Sequence, residues 1–390
     1  MRTPSFIVYS VWLFVTIDTG ARAVSLQQTG TGPTPHQDLH IKVTPKQPLI
    51  EHRGEMQILN FDFILKNDGT VAQHLNRVEV SVYDHSSSLV LRRSLDENGD
   101  PSGMTTVPKR DVAAKQEISI FNPFFVFDHE VPIDHLNYVF YFNASGAEMA
   151  SPLDYQTSLG VAVTAADYTD HAQLELPVRV RSIIFDGHDF YAHHRRLDLA
   201  EPSGGSNLVH SNPLRYADDF CPVDAEGAMY HDGMYNKKHW YGYGTPIYAP
   251  AEGLVTEAVN DVPENEYRGR EVVHPAIKDT ASAVFGNHVV LDHGQGEVSF
   301  FGHMQTGSLR VKKGDHVMRG QIIGQIGFTG DAFIPHLHYM LMNGPDFLHA
   351  EGVPSYFHDF RRILGEQTKT VRVGQIDSGD IVEGQVRKPE

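Results

Sequence analysis

Residues 335–340 read Pro335-His336-Leu337-His338-Tyr339-Met340. In an extended strand, residues two apart share a face. His336 and His338 therefore project the same way, with Leu337 turned to the opposite side. Two imidazoles about 7 Å apart along a strand can provide one metal ligand and one neighbour for a metal-activated water. A catalytic zinc site takes three protein ligands from His, Asp, Glu or Cys and keeps one position open. The ion polarises a carbonyl and acidifies water, a nearby base takes the water proton, and a further donor steadies the developing oxyanion. The His pair alone does not make such a site. Upstream, His210, Asp219 and His303 supply separated pieces of the right chemical types.

These residues need a folded scaffold, and the composition provides for one. At 390 residues with 41% hydrophobic content, the chain is long enough for two or three domains with their own cores. A formal net charge of −17 argues against a nucleic-acid partner and against adsorption to anionic membranes, both of which call for basic surfaces. Near the N-terminus, Arg2 precedes the apolar run Phe6–Val15, and Ala21-Arg22-Ala23 follows as a small-residue cleavage site. That is the pattern of a secretory signal peptide over residues 1–23. No later segment has the apolar length of a membrane helix, so a secreted or periplasmic protein without a membrane span is expected. Cys221 is the sole cysteine, which leaves no internal disulfide and reads as a small buried residue.

The expected organisation is all-β. Residues 24–40 form a flexible lead-in rich in Gln, Thr, Gly and Pro. Residues 41–195 carry alternating runs that predict an antiparallel β-sandwich of immunoglobulin-like architecture. Its strands are expected around Leu59–Leu65 before the turn Asn67-Asp68-Gly69, at Val78–Val82, Glu117–Ile120, Tyr138–Phe142, Ser158–Val163 and Leu174–Val180. Asn143-Ala144-Ser145 is a glycosylation sequon. Residues 196–208 have linker composition. From residue 209 to 360, β runs return at Pro246–Pro250, Gly253–Val255, His288–Leu291 and Val298–Phe301, punctuated by glycines that imply tight hairpins in an antiparallel sheet. Residues 361–390 are a C-terminal extension with a strand-like Thr370–Val373.

The second half carries a resemblance. His210 followed by Tyr216-Ala217-Asp218-Asp219-Phe220 resembles the opening motif of lysostaphin/LytM-type zinc metallopeptidases, peptidase family M23. Gly244-Thr245-Pro246-Ile247-Tyr248-Ala249-Pro250, Gly286-Asn287-His288-Val289-Val290 and Phe301-Gly302-His303-Met304 are similar to that family's next blocks. Val311–Val317, Gly320–Gly324, Gly327-Phe328-Thr329-Gly330 and Pro335-His336-Leu337-His338 complete the series in the same order. The likeness spans residues 209–357 and leaves out the N-terminal half. It implies His210, Asp219 and His338 as ligands of one Zn²⁺, with His303 and His336 as the unligated catalytic pair. His231-Asp232-Gly233 sits nearer the short form of the first motif but has Tyr235 where the carboxylate belongs. Asp218, beside Asp219, points to the other face of a strand.

The function this implies is an exported zinc metalloendopeptidase acting on peptidoglycan stem or cross-bridge peptides. The alternatives are a non-enzymatic wall-binding or hydrolase-activating relative, and a secreted metallopeptidase acting on proteins.

Overall fold

The computed structural model describes residues 34–35, 38–98, 103–148, 151, 153–201, 209, 211–278 and 280–385. The expected signal peptide, most of the lead-in and His210 lie outside the described residues. Among those described, strands dominate and the one α-helix is the short Thr280–Phe285. Among the described residues, no helix is long and apolar enough to cross a membrane.

The N-terminal part folds because its alternating residues can bury one face per strand. Val78, Val80 and Val82 all point inward from the Gln73–Tyr83 strand, and Tyr138, Phe140 and Phe142 do so from His135–Ala144. These two strands pair antiparallel at the middle of a six-stranded sheet. Across from it, Phe63 on the Asp62–Asn67 strand meets the rings of Tyr138 at 4.8 Å and Phe140 at 5.0 Å. The Asp62–Asn67 strand pairs with Leu39–Thr44 and Glu117–Phe121, and a four-stranded sheet flanks it. The pairing is antiparallel apart from two short parallel contacts at Thr34–Pro35 and Ala166–Asp167. This is a two-layered β arrangement around one apolar core running from Leu39 to Val163.

Two expectations change in this half. Leu174–Val180 is not a strand: Leu174 makes an isolated bridge to Phe357 and the rest is irregular. Pro177 cannot donate to a ladder, and Leu174, Leu176 and Val178 instead bury their side chains in the second core. The packing therefore changes hands between Val163 and Leu174, ahead of the linker-like stretch at 196–208. The sequon Asn143 is buried; its side chain accepts from Gln156 N at 2.7 Å and donates to Asp154 O at 3.3 Å. A glycan has no room there.

The second core lies on an antiparallel ten-stranded sheet. Its central strands are Asn287–Asp292, Val298–Met304, Leu337–Met342 and Asp218–Pro222, side by side in that order. They are buried along nearly their whole length, which accounts for their near-continuous apolar runs. Beyond Asp218–Pro222 the sheet continues through Ser182–Ile184, Ile381–Gly384 and the hairpin Phe357–Leu364/Gln367–Gly374. The C-terminal extension is thus part of this sheet. Cys221 is buried within it opposite Ile183, and burial pushes its thiol well above the ordinary range.

Candidate active site

Register brings the site together. His338 lies directly opposite Asp219 on one neighbouring strand and Gly302 on the other. Directly opposed residues of an antiparallel pair share a face, and His338 Nδ1 comes within 3.0 Å of Asp219 Oδ1. His336, just before the strand begins, reaches the same carboxylate, with Nε2 3.5 Å from Oδ1. The pairing that fixes Asp219 extends past the strand ends: its N–H donates to Asp186 O at 2.7 Å and its carbonyl accepts from Phe185 N at 2.9 Å.

His303 enters by a different device. It follows Gly302 with φ of +57°, the left-handed region that non-glycine residues rarely occupy. That local strain is tolerated where surrounding contacts over-determine it. The ring stands 4.7 Å from that of His336 and 5.9 Å from that of His338, centre to centre. Nδ1–H donates to Thr329 O at 2.8 Å. Thr329 is in turn held by a tight crossing of two turns. Gly286 has φ of +65°, and a Cβ there would fall 2.1 Å from Thr329 Oγ1. Gly330 has φ of +69°, and a Cβ there would fall 2.3 Å from Gly286 N. The two glycines thus let Thr329 aim its carbonyl at His303. His336 Nδ1–H donates in the same way to Ile334 O at 2.8 Å. Both imidazoles therefore turn Nε2 toward the shared space.

A third imidazole meets Asp219 from outside the sheet. His194 is buried, its ring centre 4.8 Å from that of His338, and its Nε2 lies 3.8 Å from Asp219 Oδ2. Donor atoms of His194, Asp219 and His338 all fall within 4.8 Å of one another. Two imidazoles and a carboxylate suit a divalent transition metal, and the buried His338 Nε2 has no protein partner. The residues present fit a metal. His194 was not singled out by sequence reasoning; its signal is the run His193-His194-Arg195-Arg196, which has no fixed spacing to the later motifs. His231, the minority candidate for the first motif, is exposed and paired with Asp232 at 2.6 Å, away from this cluster. His231→Ala is accordingly expected to leave metal content unchanged when the purified protein is analysed.

Electrostatics sort the side chains. Burial would raise the Asp219 carboxyl, but the imidazoles of His336 and His194 and a hydrogen bond with His338 hold it well below the usual carboxylate range. Burial pushes His338 down to about 4, despite Asp219. His303 is driven well below the ordinary imidazole value by burial and by the neighbouring His336 and His338. His336 moves up: burial opposes this, and the charge of Asp219 outweighs it. Asp186 Oδ2 lies 2.9 Å from His194 Nδ1, off the N–H axis, and 2.8 Å from the exposed His193 Nδ1. Burial works against its ionisation, yet these two rings hold it below the carboxylate range. The whole group opens into a cleft of about 430 Å³ whose rim includes Phe185, Phe333 and Asp331.

Residues 231–349 match the model of Peptidase family M23. The peptidoglycan DD-endopeptidase ShyA of Vibrio cholerae is 35% identical over 99 residues, covering 25% of this chain and 18% of ShyA. ShyC, another peptidoglycan DD-endopeptidase of that organism, is 32% identical over 102 residues, covering 26% and 18%. The cell division protein DipM of Caulobacter vibrioides is 29% identical over 102 residues, covering 26% and 13%. The matched stretch thus spans less than a fifth of the length of each of these relatives. His303, His336 and His338 fall inside the matched segment, whereas His194 and Asp219 precede it. The chain carries a peptidase family M23 domain at residues 231–349.

Proposed function

We propose that this chain is an exported zinc metalloendopeptidase that hydrolyses peptide bonds in peptidoglycan stem or cross-bridge peptides. The observation that carries the reading is the convergence of His194, Asp219 and His338 with His303 and His336 at one cleft bordering the M23 domain. Similarity to two enzymes named peptidoglycan DD-endopeptidases supports the substrate class. The signal-like residues 1–23 support export.

His194, Asp219 and His338 are the described residues that would hold the ion; His210, the ligand expected from the resemblance, lies outside the described residues. Zinc bound there would supply a Lewis acid for the scissile carbonyl and a means of acidifying nearby water. The protein's own residues manage the protons. His303, kept neutral by burial, presents the Nε2 lone pair because its Nδ1–H is tied to Thr329 O, and it accepts the proton of the attacking water. His336, also fixed through Nδ1, presents Nε2–H to the carbonyl oxygen as negative charge develops on it. Asp219 holds the fold of the site through its backbone as well as its carboxylate. Asp186, His193 and His194 make a second group of ligand-type atoms. One imidazole serves two cations only after losing both ring protons, so a single metal per chain is expected.

Incubating the mature protein with purified peptidoglycan, with and without chelator, tests the reading. The expected result is release of soluble peptide fragments that chelator stops and zinc restores. Digestion that persists in chelator would overturn it, and digestion of unfolded protein but not of peptidoglycan would move the substrate class. His303→Ala is expected to keep its zinc while losing about 10²–10⁴-fold in hydrolysis, the usual worth of a positioned acid or base; paired metal analysis and fragment release check both halves.

A further inference from the structure

His194 lies in the stretch between the Ser182–Ile184 and Asp218–Pro222 strands, whose described residues form no strand or α-helix. A metal ligand needs its donor held to within about 0.5 Å, and a segment outside any ladder has little of its own to do this. Within its own half, the His194 N–H donates to Asp186 Oδ2 at 3.4 Å; further anchors come from the other domain. Arg195, the next residue, is fully buried. Its Nη1 donates to Asp62 Oδ1 at 2.7 Å, its Nε to Asn60 Oδ1 at 2.9 Å, and its Nη2 to Phe61 O at 3.2 Å. All three acceptors sit at the entry to the Asp62–Asn67 strand of the N-terminal domain. Arg215, on the approach to Asp219, takes the second oxygen of Asp62 at 2.5 Å and also pairs with Glu351. Nearby, Phe190 stacks on Phe125 at 4.3 Å, and Asn212 donates to His194 O at 3.1 Å.

Burying two guanidinium groups is costly, and apolar residues of similar volume often serve stability as well. What a three-pronged arginine adds is fixed orientation, here given to the residue adjoining a ligand. We propose that Arg195 is a positioning residue of the metal site: it pins the backbone at His194 to Asn60–Asp62, and the N-terminal domain is thereby a working part of that site. The proposal rests on the ligand assignment of His194, Asp219 and His338 made above. It follows that residues 231–349 are not self-sufficient for metal binding in this chain.

The test uses the full chain, with zinc affinity read by competition against a chromogenic chelator and the thermal midpoint of the metal-stripped protein read alongside. Arg195→Lys keeps charge beside Asp62 but loses the bonds to Asn60 and Phe61. Asn60→Ser weakens the same anchor from the sandwich side, and decides the matter alone if Arg195→Lys does not fold. Val80→Ala, in the sandwich core, controls for lost stability. The expected result is a zinc affinity weakened at least ~10-fold in both anchor variants, the scale of an outer partner of a ligand, with Val80→Ala within about twofold of wild type. The absorption bands of the cobalt-loaded anchor variants should shift as well. Anchor variants that bind zinc as tightly as Val80→Ala would overturn the proposal. A wild type that takes up no zinc, or a His338→Ala protein that binds it equally well, would instead defeat the ligand assignment, and the proposal with it.

Discussion

Replacing His338 with Ala is expected to give a folded protein that retains no zinc and releases no fragments from peptidoglycan. His338 occupies the middle of the sheet, opposite Asp219 on one side and Gly302 on the other, so no other side chain can take its place without shifting register. Partners that merely orient a metal ligand are worth about 10- to 100-fold in affinity or activity; removing the ligand itself should exceed that. Fold and function separate in this variant. The imidazole is buried with Nε2 unpartnered, and an unsatisfied buried polar atom costs about 1–3 kcal/mol. Deleting it removes that cost, which offsets part of the penalty for the small cavity and for the lost bond to Asp219, a carboxylate still faced by His336 and His194. The thermal midpoint of the metal-free variant should therefore stay close to that of metal-free wild type, while the zinc-induced rise in midpoint disappears. A His338→Ala protein that still gains stability on adding zinc would show that the ion is held elsewhere, for example by Asp186 and His193.

The readable parts of this molecule are those set by local period. Val78, Val80 and Val82 announce their strand because alternate positions face one core, and the His-x-His pair announces a shared face for the same reason. Asp219 was legible through its Tyr-Ala-x-Asp-Phe context, and its pairing with His338 is what that context implies once the strands are adjacent. His303 was legible as a residue but not as a conformation, since nothing in Phe-Gly-His-Met signals a φ of +57°. His194 escaped because it lies on irregular backbone whose next residue, Arg195, docks against Asn60–Asp62, more than 130 residues earlier. No periodicity records such a contact. The edge hairpin was legible only in part: Thr370–Val373 reads as strand-like and lies in the Gln367–Gly374 strand, but that strand is mostly exposed and lacks the alternation that would give its bounds and its place in the sheet. Leu174–Val180 misled in the opposite sense, its apolar residues packing from irregular backbone interrupted by Pro177.

Asp62→Ala is expected to be among the most destabilising single changes in the chain. Asp62 is buried and carries Arg195 on one oxygen and Arg215 on the other. Removing one partner of a buried ion pair costs about 3–5 kcal/mol, because the remaining charge stays buried without compensation. Here two guanidinium groups share the loss, and Glu351 compensates only Arg215. Against a typical total of about 5–15 kcal/mol, the variant should unfold at a sharply lower urea midpoint or aggregate on expression. The remedy distinguishes stability from specificity. Replacing Asp62, Arg195, Arg215 and Glu351 together by apolar residues of similar volume should recover much of the lost stability, as buried ion clusters generally allow. If the arginine network exists to place His194, that repaired protein regains its urea midpoint and still binds zinc poorly. A repaired protein with wild-type zinc affinity would assign the network to packing alone.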